Sequence, residues 1–241
     1  TPPPAATPPV VVPVAPTPSP TSSGKANPSE FTLMSGGAKG ADTLWDSIGR
    51  TFGLTKAKHF WMGQTTPIGN TEISEDDTKE GKEKVTLAAR AMGRIAPTHN
   101  VQSPLLIRNW SQVKYADAVF AVTTMLSAGS GMNYDKKALI RQGKGGTGYA
   151  IEMAIQAGKP VYVFDQERGR WFANLGKGWV NSDTPTLTKN FAGIGTREIN
   201  AAGKQAIRDV FEKTFSGAPL NIAPAVVVPV APVTPPPKPT A

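Results

Sequence analysis

Five consecutive apolar residues, Ala118 to Val122 (AVFAV), constrain this chain more than any other feature. An apolar run without polar alternation fits a strand covered on both faces, as in the interior of a parallel sheet. Val161 to Phe164 repeats the pattern, and Phe31 to Met34, Lys58 to Met62 and Phe191 to Ile194 are shorter candidate strands. Between them lie stretches of helical spacing. One runs through Leu44, Trp45, Ile48 and Phe52 and stops at Gly53; others span Lys79 to Met92, Leu105 to Ala116, Ala150 to Ala157 and Ala202 to Phe215. Thr65 to Asp77 reads as a long loop, Ala138 to Ile140 as a short strand or ribbon, and the stretch around Trp171, Phe172 and Trp179 as irregular. Strands alternating with helices predict an α/β domain: a Rossmann-like, mostly parallel sheet with helices on both faces.

The ends of the chain cannot belong to that sheet. Thr1 to Pro28 and Ala223 to Ala241 are dominated by Pro, Ala, Val and Thr. Proline lacks the backbone donor and fixes φ, so such runs favour extended polyproline conformations. The expected organisation is a Pro/Ala/Val-rich linker over residues 1–28, one domain over 29–219 and a Pro/Val-rich tail over 220–241, with both tails disordered. The heptad VVVPVAP occurs at Val10 to Pro16 and again at Val226 to Pro232. Identical low-complexity heptads flanking one domain suggest linkers or anchors, and hence a module of a larger assembly or polyprotein held through its tails.

Composition narrows the function classes. The 241 residues include no cysteine, so a disulfide framework and a thiolate metal site are excluded. Two histidines, His59 and His99, do not make a histidine-rich metal site. No apolar run approaches the ~18 residues of a membrane span, and no signal peptide is visible, so a soluble protein is expected, cytoplasmic or part of a larger particle. The net charge of +8 suits anionic ligands. Direct nucleic-acid binding is not expected, because no helix concentrates Lys and Arg beside interleaved aromatics. A homo-oligomer is left open.

Two glycine-rich loops carry the candidate chemistry. The first, Ser35-Gly36-Gly37-Ala38-Lys39-Gly40-Ala41-Asp42, stands where a strand hands over to a helix. Glycines let a ligand approach the backbone, and a helix N-terminus offers free N–H groups to a phosphate. Ser35 adds a hydroxyl and Lys39 a point charge, while Asp42 is either a helix cap or an acceptor for a ribose hydroxyl. The second loop, Gly145-Gly146-Thr147-Gly148-Tyr149, follows Lys136, Lys137, Arg141 and Lys144. Thr147 offers a hydroxyl and Tyr149 a stacking face. Two such helix starts in one sheet predict a ligand crevice at the carboxyl ends of the strands. Arg108 and Glu152, each taken alone, read as surface charges; together they suggest an Arg/Glu pair. The acidic run Glu75, Asp76, Asp77 with Glu80 lacks metal-ligand spacing and reads as the cap of the helix beginning near Lys79. Trp61, Trp171, Phe172 and Trp179 either stack a base or, as is more common for such residues, are buried.

The stretch from Arg108 through Asp117-Ala118 into AVFAV, followed by Gly145-Gly146-Thr147-Gly148-Tyr149-Ala150-Ile151-Glu152, resembles the Lonely Guy / lysine-decarboxylase-like family. That family's wider superfamily includes molybdenum-cofactor carrier-like proteins and the DNA-processing protein A family, whose members often show a loop like Ser35 to Asp42. Phe191-Ala192-Gly193-Ile194-Gly195-Thr196-Arg197-Glu198 is similar to a strand end common in such domains. The resemblance implies binding of a nucleotide-like small molecule, with the glycines and Thr147 on its phosphate. It also implies cleavage of the N-glycosidic bond of a nucleoside 5′-monophosphate, with Arg108 stabilising the ribose phosphate and Glu152 the developing positive charge or a water. Lys144 replaces the family's proline, Tyr149 stands at its threonine, and more than twenty residues separate AVFAV from the second loop. Three readings follow: a nucleotide-binding module, a nucleotide N-glycosidase, and an assembly module with a vestigial pocket. No cofactor is identified by sequence.

Overall fold

The computed structural model describes residues 26–62, 69–95, 102–126 and 142–215. The proline-rich tails with their heptads and the expected ribbon at Ala138 to Ile140 lie outside the described residues. The chain enters through a 3-10 turn at Pro28–Glu30, then β1 (Thr32–Ser35), α1 (Ala41–Thr51), β2 (Lys56–Trp61) and β3 (Asn70–Glu72). Two helices follow, α2 (Glu75–Ala91) and α3 (Gln102–Tyr115), before β4 (Ala118–Thr123), β5 (Met125–Leu126), β6 (Gln142–Gly143) and α4 (Gly145–Gln156). The remainder is β7 (Val161–Asp165), β8 (Arg170–Asn174), β9 (Trp179–Ser182), β10 (Asn190–Gly195) and α5 (Ala201–Phe215).

Eight strands form one sheet in the order β3-β2-β1-β10-β4-β7-β8-β9, and β5 and β6 form a separate two-stranded ribbon. Pairing is parallel from β3 to β7 and antiparallel from β7 to β9. This is the expected α/β fold with a mostly parallel sheet. AVFAV lies at its centre, every residue of β4 buried. Ala118, Phe120 and Val122 join the core under α1 and α5, while Val119 and Ala121 join the core under α2, α3 and α4. Helices therefore cover both faces, which is why the run shows no alternation. The last strand in sequence, β10, sits between β1 and β4, with Phe191 opposite both Leu33 and Ala118.

Gly193 of β10 makes room for α1. A Cβ there would lie 2.5 Å from Cγ of Trp45, whose ring is fully buried and whose Nε1 donates to the Ile194 carbonyl at 3.2 Å. Trp45 also meets Phe120, Phe191 and Phe211 with ring centroids 5.7–6.3 Å apart. Truncating an aromatic in such a place costs about 3–5 kcal/mol, so this contact fixes where the N-terminus of α1 lies.

The expected long loop from Thr65 to Asp77 contains β3, Asn70–Glu72, paired with β2, and two other expectations need correction. The stretch around Trp171, Phe172 and Trp179 is not irregular but forms the hairpin strands β8 and β9; Trp171 and Phe172 are buried, with Trp171 edge-on to Phe164 at 5.5 Å. The turn uses left-handed glycines at Gly176 and Gly178, and Asn174 Oδ1 accepts from the Gly176 amide. The second correction concerns α2, which starts at Glu75 rather than near Lys79, because Ser74 Oγ caps it by accepting from the Asp77 amide at 3.1 Å. Asp77 and Glu80 each take Lys114 Nζ at 2.7 Å, and Asp77 also takes the Tyr115 hydroxyl. These acids fasten α2 to α3. Among the described residues no helix is long and apolar enough to cross a membrane.

Candidate functional site

The two glycine loops use their glycines differently. In the first loop, Ser35 is fully buried and its Oγ accepts from the Gly37 amide at 3.1 Å, so this hydroxyl oxygen holds the turn. Gly40 adopts φ +107°, and a Cβ on it would lie 2.4–2.5 Å from backbone atoms of Thr196 and Arg197. The close approach at Gly40 is thus made by the chain's own β10 terminus. The first amides of α1 are also mostly taken: Ala41 N donates to Thr196 O at 3.1 Å and Thr43 N to Ala38 O at 3.3 Å. Gly37, Ala38 and Lys39 form the exposed tip. Asp42 is not the cap, a position held by Gly40 without a side-chain bond. It lies one residue inside the helix, buried; burial raises its carboxyl to about 6, against the opposing pull of Arg108 and the amides of Ala38, Gly195 and Gly36.

The second loop starts a helix whose first donors are unclaimed among the described residues. No described residue accepts from the amides of Gly145, Gly146 or Thr147; the first bond at this end is Gly148 N to Lys144 O at 3.4 Å. Four orphan donors are normal at a helix start, and solvent, a side chain or an anion must satisfy them. Lys144 supplies no side-chain cap, and it, Gly145 and Gly146 are exposed. Gly145 has φ +61° with nothing within 4 Å of where a Cβ would stand, and a Cβ at Gly146 would meet only Leu106 at 3.5 Å. Gly148 differs: its Cβ would fall 2.1 Å from Gly143 O, so its smallness serves packing. Thr147 and Tyr149 are buried. Tyr149 does not present an open stacking face; the Arg94 guanidinium lies 5.2 Å from its ring centroid.

Helix α3 joins the loops. A Cβ on Gly36 would lie 2.7 Å from Gln112 Nε2 and 3.0 Å from Arg108 Nε. Gln112 Nε2 donates to Asn109 Oδ1 at 3.2 Å, and Asn109 Nδ2 donates to Gly146 O at 3.2 Å. Arg108 is charged in a desolvated place that lowers its pKa, and its Nε is buried without a partner, as is Gln112 Oε1. Arg108 and Glu152 each find a neighbour other than the one expected. Asp42 is the charge acting on Arg108, whereas Glu152 has Arg94 as its nearby charge and accepts from Gln156 Nε2 at 2.9 Å. Burial pushes the Glu152 carboxyl up.

Sequence reasoning missed Arg94, which donates to Gly145 O at 2.9 Å and Gly143 O at 2.7 Å and shapes the second loop. No motif surrounds it. It also missed an open cleft of about 720 Å³ between the starts of α1 and α5, whose walls include Gly40, Leu44, Thr124, Gln166, Arg197 and Lys204. Gln166 ties two of these walls together, donating to Thr196 Oγ1 at 3.2 Å and accepting from Asn200 N at 2.8 Å. These walls stand at the carboxyl ends of β4, β7 and β10, where open α/β sheets bind ligands. No protein-family model, no curated protein and no solved structure matches this chain.

Proposed function

We propose that the domain binds a nucleotide-derived, phosphate-bearing ligand, its phosphate against the start of α4. The observation behind this is the set of amides at Gly145, Gly146 and Thr147 from which no described residue accepts, at the start of a twelve-residue helix whose glycine turn is exposed. A phosphate there would accept several N–H bonds and meet the positive end of the helix dipole. Lys144 adds a cation beside it. The first loop plays a supporting part: Gly36 and Gly40 bring chain segments together, and only Gly37 to Lys39 reach outward. The resemblance to the Lonely Guy family assigns the phosphate to the same glycines.

Calorimetry on the full chain with nucleoside mono- and diphosphates and dinucleotides tests this. Gly146→Val should abolish binding, because its methyls cover the amide face. The fold should survive, since a Cβ at Gly146 makes only an ordinary contact. If no member of the panel binds the unaltered protein, the proposal fails. A second reading, cleavage of a nucleotide's N-glycosidic bond, is favoured by one observation: a buried carboxyl, Glu152, stands two turns into the helix that begins at the phosphate loop, where it would steady developing positive charge or position a water.

A further inference from the structure

Strand β9 closes one side of the eight-stranded sheet and pairs only with β8, Ser182 opposite Trp171 and Trp179 opposite Asn174. Beyond that ladder, the backbone of Trp179 to Ser182 makes no other backbone hydrogen bond among the described residues. The outward N–H and C=O groups of an edge strand are a template for a further chain, and folds blunt such edges with charge, proline or a bulge. The opposite edge strand, β3, carries Glu72, whereas β9 is Trp-Val-Asn-Ser, without a charge or a proline. Trp179 packs against the core under α2, α3 and α4. Val180 turns to the other face, beside Ala173, and is 55% exposed; Leu175, in the turn that leads into β9, is 59% exposed.

The charges flanking β9 say what covers it. Lys177 stands three residues before Val180, and Asp183 three residues after it. Both are exposed, and neither forms an ion pair among the described residues. A two-fold axis normal to the sheet and beside Val180 runs β9 antiparallel to its own copy. Each residue before Val180 then lies opposite the one equally far after it in the second copy. Lys177 of each copy meets Asp183 of the other, and Val180 meets Val180 across the axis. Each face of one sheet continues into the same face of the other, so no side chain changes sides. A parallel arrangement in register would set Lys177 on Lys177. The edge is thus complementary to itself, as a contact between identical surfaces requires.

We infer that β9 is the contact between two copies of this chain, which joins their sheets edge to edge. The added pairing continues the antiparallel part of each sheet, already running β7-β8-β9. An edge of four residues is smaller than the interface of a permanent dimer, so the association is reversible, with a Kd on the order of 10–100 µM. It stands apart from the phosphate site proposed above and does not rest on it.

Sedimentation equilibrium on the full chain, from about 5 to 500 µM at one salt concentration, tests this. The mean mass of the unaltered protein should climb from one chain toward two. Val180→Lys places like charges at the axis and should keep the protein monomeric. Because Val180 is exposed, the Tm of that variant should stay within about 2 °C of the original. Lys177→Glu and Asp183→Lys should each weaken self-association about 10-fold, since each sets like charges opposite one another twice. An equimolar mixture of these two variants should recover the original affinity, because a mixed dimer restores both opposite pairs. An unaltered protein that stays monomeric throughout would overturn the inference. So would a Val180→Lys variant that associates as before, or a mixture that associates no more tightly than its components.

Discussion

Asp42 offers the sharpest check on the electrostatics of the site. Its carboxyl is raised from 3.8 to about 6, chiefly by burial. At about 1.4 kcal/mol per pH unit, the folded state carries about 3 kcal/mol of penalty for an ionised Asp42. The sign follows from the direction of the shift. Below pH 3.8 the carboxyl is neutral folded and unfolded, and no penalty exists. As pH rises toward about 6 the unfolded chain ionises first, so stability falls, and above that the loss is complete. Asp42→Asn cannot ionise. The variant should therefore gain on the unaltered protein by about 3 kcal/mol between pH 3.5 and pH 7.5, as an upper figure. The amide receives the N–H groups around Asp42 less well, which adds an offset that does not vary with pH. Urea denaturation of both proteins across that range, followed by tryptophan fluorescence, measures the difference; other titrating groups cancel between the two. A difference that stays flat with pH, or one that shrinks as pH rises, would refute the buried, desolvated placement of this carboxyl.

Two further outcomes are expected. Lys159 Nζ donates to three carbonyls at the end of α3, Val113 O, Lys114 O and Ala116 O, so Lys159→Met should cost about 1–3 kcal/mol, read as a lower Tm. If the domain cleaves nucleoside monophosphates, chromatography should detect free base, and Glu152→Gln, which removes the charge, should slow its release about 10²-fold with binding retained; equal release by the variant would exclude a part for the Glu152 carboxylate.

Much of the fold is legible in the sequence because it depends on local pattern. AVFAV announces a doubly covered strand, Gly53 ends α1 with φ +91°, and the helix after Gly148 begins at its glycines. What escaped depends on pairing across distance. Nothing near Phe191 tells that its strand enters between Leu33 and Ala118, which lie 158 and 73 residues away. The hairpin of Trp171 and Trp179 was hidden because its aromatics follow no clean alternation, being buried against Phe164 and the cores on either side. The site was half visible for a related reason. A glycine that admits a ligand and a glycine that admits the chain itself look alike in sequence. Gly40 and Gly148 prove to be of the second kind only once Thr196, Arg197 and Gly143 stand against them. Arg94 crosses about fifty residues to reach the second loop, and no local signal can announce that.

The distribution of unfavourable groups ties the site together. Some polar groups of this fold are well settled: Lys114 lies between Asp77 and Glu80, whose carboxyls are lowered, and Gln166 uses both ends of its amide. Others are not. Asp42 and Glu152 are held above their ordinary range, Arg108 is held below its own, and the buried atoms Arg108 Nε, Gln112 Oε1 and His59 Nδ1 lack partners beside Gly36 and Gly37. An unmatched buried polar group costs about 1–3 kcal/mol, and a sequence selected for stability alone would replace such groups with apolar ones of similar size. Arg108 Nε, Gln112 Oε1 and His59 Nδ1 stand together beside the first loop, but Trp61 Nε1, Trp110 Nε1, Ser111 Oγ and Thr123 Oγ1 are buried without partners too, so only part of this unmatched polarity belongs to the loops.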